Sequence, residues 1–182
     1  MNWLWTAALV LVAGILVFRR AGKDYARLGR LRRSTSTLQV LVFVLHGVAS
    51  LILLDSRPGA IDTASPLFGL ALLLIAGGLI LLASTMGRFG MSRAVGQETS
   101  GLTCSGMYRR SRNPQVMFYG IAVVGYMLLW PSWSGALWVV LYAILAQVMV
   151  KTEEAHLKRA YGSEYVEYCE HTPRYIDLPG MK

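Results

Sequence analysis

Five stretches of the chain are almost unbroken in apolar residues, and the charged residues fall in the segments between and after them. The runs extend over residues 3–18, 38–54, 67–86, 116–130 and 133–150. Segments this long and this poor in charge read as membrane-spanning helices. The predicted fold is therefore all-α: one domain over residues 1–182, a transmembrane bundle of five helices with a small cytoplasmic helical cap at its C-terminal end.

The boundaries carry their own signals. The second run stops at Asp55-Ser56-Arg57-Pro58-Gly59, a turn-forming cluster that cannot continue a helix. Gly77-Gly78 in the third run predicts a close helix-helix approach, since small residues let two backbones come together. The fourth run is short: about 15 residues at ~1.5 Å each reach ~22 Å, less than the ~30 Å hydrocarbon core. Pro131-Ser132 joins it to the fifth, so the last two runs predict a tight hairpin whose lower ends meet.

Composition agrees with lipid as the main solvent. Apolar residues make up 54% of the 182 residues and charged residues 15%, against about a quarter charged in a soluble domain. The net charge of +8 lies in segments 19–33, 88–112 and 151–182, which hold every Lys and Arg except Arg57. The positive-inside rule then predicts an outside N-terminus and a cytoplasmic C-terminus, and it accounts for the charge without a nucleic-acid partner. The first run carries its positive charge after the apolar stretch, so it is expected to be a retained anchor rather than a cleaved signal. Trp3, Trp5, Trp130 and Trp133 would all lie at the outer interface.

Polar residues inside the runs are few, His46 and Gln147 foremost. Ion pathways and proton relays need membrane-embedded charge, so a pump or transporter is disfavoured, and His46 is expected to make a helix-to-helix hydrogen bond. Cys104 and Cys169 both fall on the predicted cytoplasmic side, where thiols stay reduced, and no His stands at metal-ligand spacing from them.

The chemistry is expected in two cytoplasmic elements, 98–115 and 151–176. In the first, Asn113-Pro114 reads as an N-cap and first helical position. The free N–H groups of that helix start, with Arg112 beside them, suit a carboxylate or phosphate; Arg109, Arg110 and Arg112 also suit simple anchoring at headgroups. In the second, Glu153-Glu154 lies just below the membrane where basic residues would be expected. Gly162 then reads as a helix terminator, with Ser163 opening a further short helix. The hairpin brings Arg112-Asn113 near Glu153-Glu154, so a basic and an acidic cluster share one pocket.

At these residues the chain resembles the isoprenylcysteine carboxyl methyltransferases and the related membrane phospholipid methyltransferases. The resemblance is carried by Gly106, Tyr108 and Arg112-Asn113-Pro114, then by Glu153-Glu154, Leu157, Tyr161-Gly162, Tyr165, Tyr168 and Pro173-Arg174, over roughly residues 84–176. It implies an S-adenosylmethionine-dependent methyltransferase, with the cofactor pocket lined by Gly101, Leu102, Thr103, Tyr108, Asn113 and Pro114 and faced by Glu153. It further implies a lipophilic or lipid-anchored acceptor entering from the bilayer. Arg112, Glu153 and Glu154 are the expected catalytic or positioning residues, and no metal is implied.

The departures from the pattern bear on the acceptor. Ser100, Val116 and Phe118 replace a His, a Tyr and a small residue, and Met149 stands where the carboxyl methyltransferases hold a substrate carboxylate with Arg, leaving Lys151 as the nearby cation. An ionised carboxylate needs a partner at the membrane face. N-methylation of a phospholipid amine, where an acid accepts the amine proton, is the alternative; a non-catalytic membrane protein that retains the fold is another.

Overall fold

The computed structural model describes residues 3–55, 61–90, 93, 97 and 101–176; Arg57 and Ser100 lie outside them. Five α-helices follow one another: α1 Trp3–Leu28, α2 Arg33–Asp55, α3 Pro66–Phe89, α4 Pro114–Leu128 and α5 Trp133–His171, with a single 3-10 turn, Gly106–Arg109, before α4. There is no strand among the described residues. α1, α2, α3 and α5 are each long and apolar enough to cross a membrane, and α4 is a shorter apolar helix of 15 residues.

Helix ends differ from the apolar runs in an informative way. α1 continues ten residues past Phe18, because Arg19–Leu28 contains good helix formers and no Gly or Pro except Gly22. It stops at Gly29, which takes φ 66° and closes on the Tyr25 carbonyl at 3.2 Å. Apolarity marks where lipid ends, and the glycine marks where the helix ends. α5 likewise extends to His171, broken only at Gly162 with φ 53° and ψ −122°; at ~1.5 Å per residue its 39 residues are about twice the thickness of the hydrocarbon core. Ser132 and Ser65 cap α5 and α3 through their side chains.

Small residues set the tightest crossing. At Gly78 an added Cβ would sit 2.7 Å from the Phe118 carbonyl and 2.8 Å from the Ala122 nitrogen. At Gly125 it would sit 2.9 Å from the Ala71 carbonyl. α3 and α4 therefore touch backbone to backbone, as expected of the Gly pair, with Gly78 and not Gly77 at the contact.

The interior of α1, α2 and α5 holds Val10, Phe18, Val42, Ala49, Trp138, Leu141 and Leu145. His46 is fully buried beside them and joins three helices as the expected polar tie: its Nδ1 lies 3.3 Å from Tyr119 Oη, its Nε2 3.4 Å from the Trp138 carbonyl, and its ring stacks on Trp138. Trp138 Nε1 donates to Ser50 Oγ at 2.5 Å, and Tyr119 Oη donates to the Phe43 carbonyl at 3.1 Å. Leu73 and Ile80 of α3, by contrast, face outward, with 67% of each exposed, as do Leu16 and Leu51. Exposed apolar surface on this scale is what a lipid-facing bundle presents.

Candidate active site

Alternation of helix direction brings the C-terminal end of α1, the N-terminal end of α4 and the middle of α5 to one end of the bundle. The contacts there are direct. Arg112 Nη1 lies 3.1 Å from Glu154 Oε1, and both side chains are nearly buried. Arg174 reaches back from beyond the end of α5 to grip the same carboxylate, with Nη2 2.6 Å from Oε2 and Nε 3.0 Å from Oε1. Glu154 is thus held between two guanidiniums, one of them in the two-pronged arrangement that fixes a carboxylate's plane. The pairing in turn pushes the Arg174 ionisation up, first through its hydrogen bonds to Glu154.

The segment after α5 is sewn to the start of α4. The Arg112 backbone N–H donates to the Pro173 carbonyl at 2.9 Å, Asn113 Nδ2 donates to the Arg174 carbonyl at 3.1 Å, and Ser111 Oγ lies 3.4 Å from the same oxygen. Tyr168 Oη donates to the Tyr108 carbonyl at 2.6 Å, and Tyr175 Oη donates to Gln147 Oε1 at 2.8 Å. Arg112 also donates to Cys169 Sγ at 2.7 Å.

Of the two adjacent acids it is Glu154 that Arg112 meets: neighbouring residues on a helix project about 100° apart, so only one of the pair can point at α4. Asn113 occupies the N-cap position, yet its side chain makes no cap hydrogen bond, because its amide is committed to the Arg174 carbonyl. The start of α4 therefore carries no side-chain cap.

Glu153 turns the other way and takes no ion pair among the described residues. Burial pushes its carboxyl ionisation up, and the Glu154 charge adds to the effect. Its neighbours are phenols: burial and then the Glu153 charge push the ionisations of Tyr25 on α1 and Tyr108 in the 3-10 turn up. A half-buried carboxyl with phenols in its neighbourhood suits a cation or an amine that must lose a proton.

The remaining expected residues fall around this cluster. Pro114 is buried at the first turn of α4, and Tyr108, in the 3-10 turn, is tied to α5 through its carbonyl, which accepts from Tyr168 Oη. Gly101, with φ 83°, and Leu102 and Thr103 form the segment leading to that turn, and among the described residues no hydrogen bond or ion pair ties them to the cluster. The roles of Arg174 and Tyr25 were not foreseen. Pro173-Arg174 was visible as a motif, but its reach back to Glu154 is a tertiary contact across 20 residues.

The set of donors fits an acceptor-rich ligand such as S-adenosylmethionine. Among the described residues, Arg112 Nε and Gln115 Nε2 are buried and have no hydrogen-bond partner, which is costly unless a ligand or water supplies one. Arg112, Arg174 and Glu154 together carry one net positive charge, suited to one carboxylate, while Glu153 and its phenols suit a cationic centre.

Farther into the lipid-facing region, an open apolar groove of about 350 Å³ runs between α3, α4 and α5, lined by Leu74, Met117, Gly120, Val124, Val139 and Tyr142 among others. Met117 is one turn along α4 from Pro114, so the groove begins beside the polar cluster.

In comparisons with known proteins, the family model of phospholipid methyltransferases matches residues 66–164, more than half of the chain. That segment contains Arg112, Glu153 and Glu154 and leaves out α1, α2 and Arg174. No curated protein and no solved structure matches the chain.

Proposed function

The chain belongs to the phospholipid methyltransferase family, and from that premise we propose that it methylates the amine of a membrane phospholipid, with S-adenosylmethionine as methyl donor. The observation that carries this reading is the division of labour between two adjacent acids. Glu154 is neutralised by Arg112 and Arg174 and serves structure, while Glu153 has no ion pair among the described residues and its ionisation is pushed up by burial.

S-adenosylmethionine, when bound, supplies a methyl group on a sulfonium that needs little activation. Arg112 and the uncapped start of α4 would hold its carboxylate, and Tyr108, Gly101, Leu102 and Thr103 would wall its other parts. The chain's own residues supply the rest. An ammonium headgroup cannot attack until it loses a proton, and a carboxylate whose ionisation is shifted toward neutral is a better base for it than an ordinary one. The Glu153 carboxylate takes that proton, leaving the nitrogen lone pair free to form the new N–C bond; the S–C bond of the donor would break in the same exchange, its electron pair staying on sulfur as a neutral thioether. The buried walls exclude water, which would otherwise compete with the amine. The apolar groove beside Met117 suits the acyl chains of an acceptor approaching from the bilayer.

An amine is favoured over a prenylcysteine carboxylate because Arg112, Arg174 and Glu154 leave a single net positive charge, which the cofactor's carboxylate would use, so none remains for a second carboxylate. Met149 supplies no charge, and Lys151 is exposed. The basic end of the bundle is taken as cytoplasmic, in line with the positive-inside count.

The test is transfer of labelled methyl from S-adenosylmethionine into vesicles of phosphatidylethanolamine mixed with phosphatidylcholine. Label in the amine headgroup, dependent on Glu153, is the expected result. Label confined to an added prenylcysteine analogue would overturn the amine acceptor, and no label in either would overturn the enzymatic reading.

A further inference from the structure

A dense block of positive charge lies outside the segment that the family model matches, at the corner where α1 passes into α2. Residues 19–33 hold seven Lys and Arg and a single acid, Asp24. Topology by itself asks only that positive charge stand on this side of the bundle, and a flexible loop would satisfy it. This corner is built more firmly than that. α1 stays helical to Leu28 and α2 opens at Arg33, so most of the cations ride on two helix ends.

Helical periodicity sorts the charges. Phe18, Ala21 and Tyr25 are buried on one face of α1, and steps of about 100° per residue put Arg19, Lys23 and Arg27 on the opposite face. All three are exposed, as are Arg30 and Arg33, and none of these five side chains takes part in a hydrogen bond or ion pair among the described residues. Their charge is turned outward. The one acid is buried: Asp24 accepts from Thr35 Oγ1 at 2.5 Å and from the Arg32 backbone N–H at 3.3 Å.

The same contacts hold the corner in shape. Arg20 Nε donates to Thr35 Oγ1 at 3.1 Å and its Nη2 donates to Ser34 Oγ at 3.1 Å, which ties the end of α1 to the start of α2. On the buried face Tyr25 stacks on His156 of α5, with ring centroids 4.2 Å apart. Charge fixed in this way loses less ordering entropy when it binds a partner.

Height decides what the cations meet. The apolar run of α1 ends at Phe18, and at ~1.5 Å per residue Lys23 and Arg27 lie about 8 and 14 Å beyond it, with Arg19 at the boundary itself. The headgroup layer is about 5–8 Å thick on each side of a bilayer, and long cationic side chains reach back toward it. Screening leaves a fixed charge effective over about 8–10 Å more. The row of cations therefore spans the depth at which lipid phosphates stand.

We propose that the α1–α2 corner is a binding site for anionic phospholipid headgroups, which it enriches around this end of the bundle. A zwitterionic lipid offers the same phosphate but brings a cation of its own, so the corner favours a headgroup without an amine. Such an occupant differs in charge from the proposed methyl acceptor.

The probe is phosphatidylglycerol. Protein reconstituted into phosphatidylcholine vesicles, with nitroxide-labelled phosphatidylglycerol or nitroxide-labelled phosphatidylcholine, is compared by the fraction of each label immobilised at the protein. Preference for phosphatidylglycerol is expected at low salt and should fade in about 1 M salt, where the screening length is about 3 Å. Lys23→Gln/Arg27→Gln should lower the preference by about threefold or more, because each cation near an anionic surface counts for up to about fivefold. Lys158→Gln/Arg159→Gln, which removes as much exposed charge from α5, should leave it unchanged. No preference in the wild-type protein, or equal losses in the two double variants, would overturn the site. A second measurement needs no variant: phosphatidylglycerol with a photoreactive headgroup should crosslink within residues 19–33, and crosslinks found only outside them would overturn the assignment.

Discussion

Arg112 and Glu154 form a nearly buried ion pair of 3.1 Å between the residue just before the N-cap of α4 and the middle of α5, and Arg174 closes the other side of the same carboxylate. This contact staples the segment after α5 to the α4–α5 hairpin. Removing one partner of such a pair leaves an uncompensated charge, at a cost of about 3–5 kcal/mol. Glu154→Gln is therefore expected to lower the thermal midpoint in detergent clearly more than Glu153→Gln does. Equal midpoints for the two variants would contradict the assignment of Glu154 to structure.

Arg112→Lys keeps the charge but loses the guanidinium whose Nη1 serves Glu154 and Cys169 together. A charge-assisted hydrogen bond contributes about 1.5–3 kcal/mol, so methyl transfer should fall about tenfold or more while insertion into the membrane is retained. A headgroup anchor depends mainly on charge. Wild-type turnover in Arg112→Lys would return this arginine to that role.

Glu153 links stability and activity to pH with opposite signs. Its folded-state ionisation is raised above the unfolded value of about 4.3. The folded state then holds the proton more tightly, so Glu153's contribution to stability is fully present below the unfolded pKa and is lost as pH rises through the folded one. A base, however, works only once the proton has gone. Activity should rise over the window in which stability falls, and Glu153→Gln should flatten both curves. Thermal midpoints and initial rates measured across pH 5–9 check this; parallel rises in both would contradict it.

The α3–α4 crossing gives a test of packing alone. Gly78→Val would drive carbon into the Phe118 carbonyl and the Ala122 nitrogen, an overpacking that costs about 1–3 kcal/mol. Gly77→Ala, its neighbour, meets nothing within 4 Å and should be close to neutral. Unfolding in detergent separates the two, and equal losses would mean that the crossing lies elsewhere.

Orientation follows from thiol access. Cys104 is exposed, whereas Cys169 is half-buried with Arg112 on its sulfur. An impermeant maleimide should label Cys104 only after permeabilisation, and faster than Cys169. Labelling of either thiol from outside intact cells would reverse the topology.

What the sequence makes legible is what short-range physics decides. Apolar runs locate the spans, Gly78 announces a close approach, Gly162 a helix break, and Asn113-Pro114 the start of α4. The motif residues also identify which end of the bundle carries chemistry. Less legible is which of two adjacent acids meets Arg112, because that depends on the rotation of α5, set by packing of Trp138, Leu141 and Leu145 far from the site. The return of Arg174 to Glu154 and the stacking of Tyr25 on His156 join residues 20 and 131 positions apart. No local pattern encodes such pairs, although an Arg just after the last helix, facing an acid without a local partner, was the available signal for the first.

Titration calorimetry with S-adenosylhomocysteine tests the central claim most directly, because it needs no knowledge of the acceptor. Saturable binding to the wild-type protein is expected, weakened by Arg112→Lys and by Glu153→Gln. It predicts unchanged binding in Lys158→Gln, an exposed position on the same helix. Absence of binding to the wild-type protein, or equal loss in all three variants, would contradict a cofactor pocket built between α4 and α5.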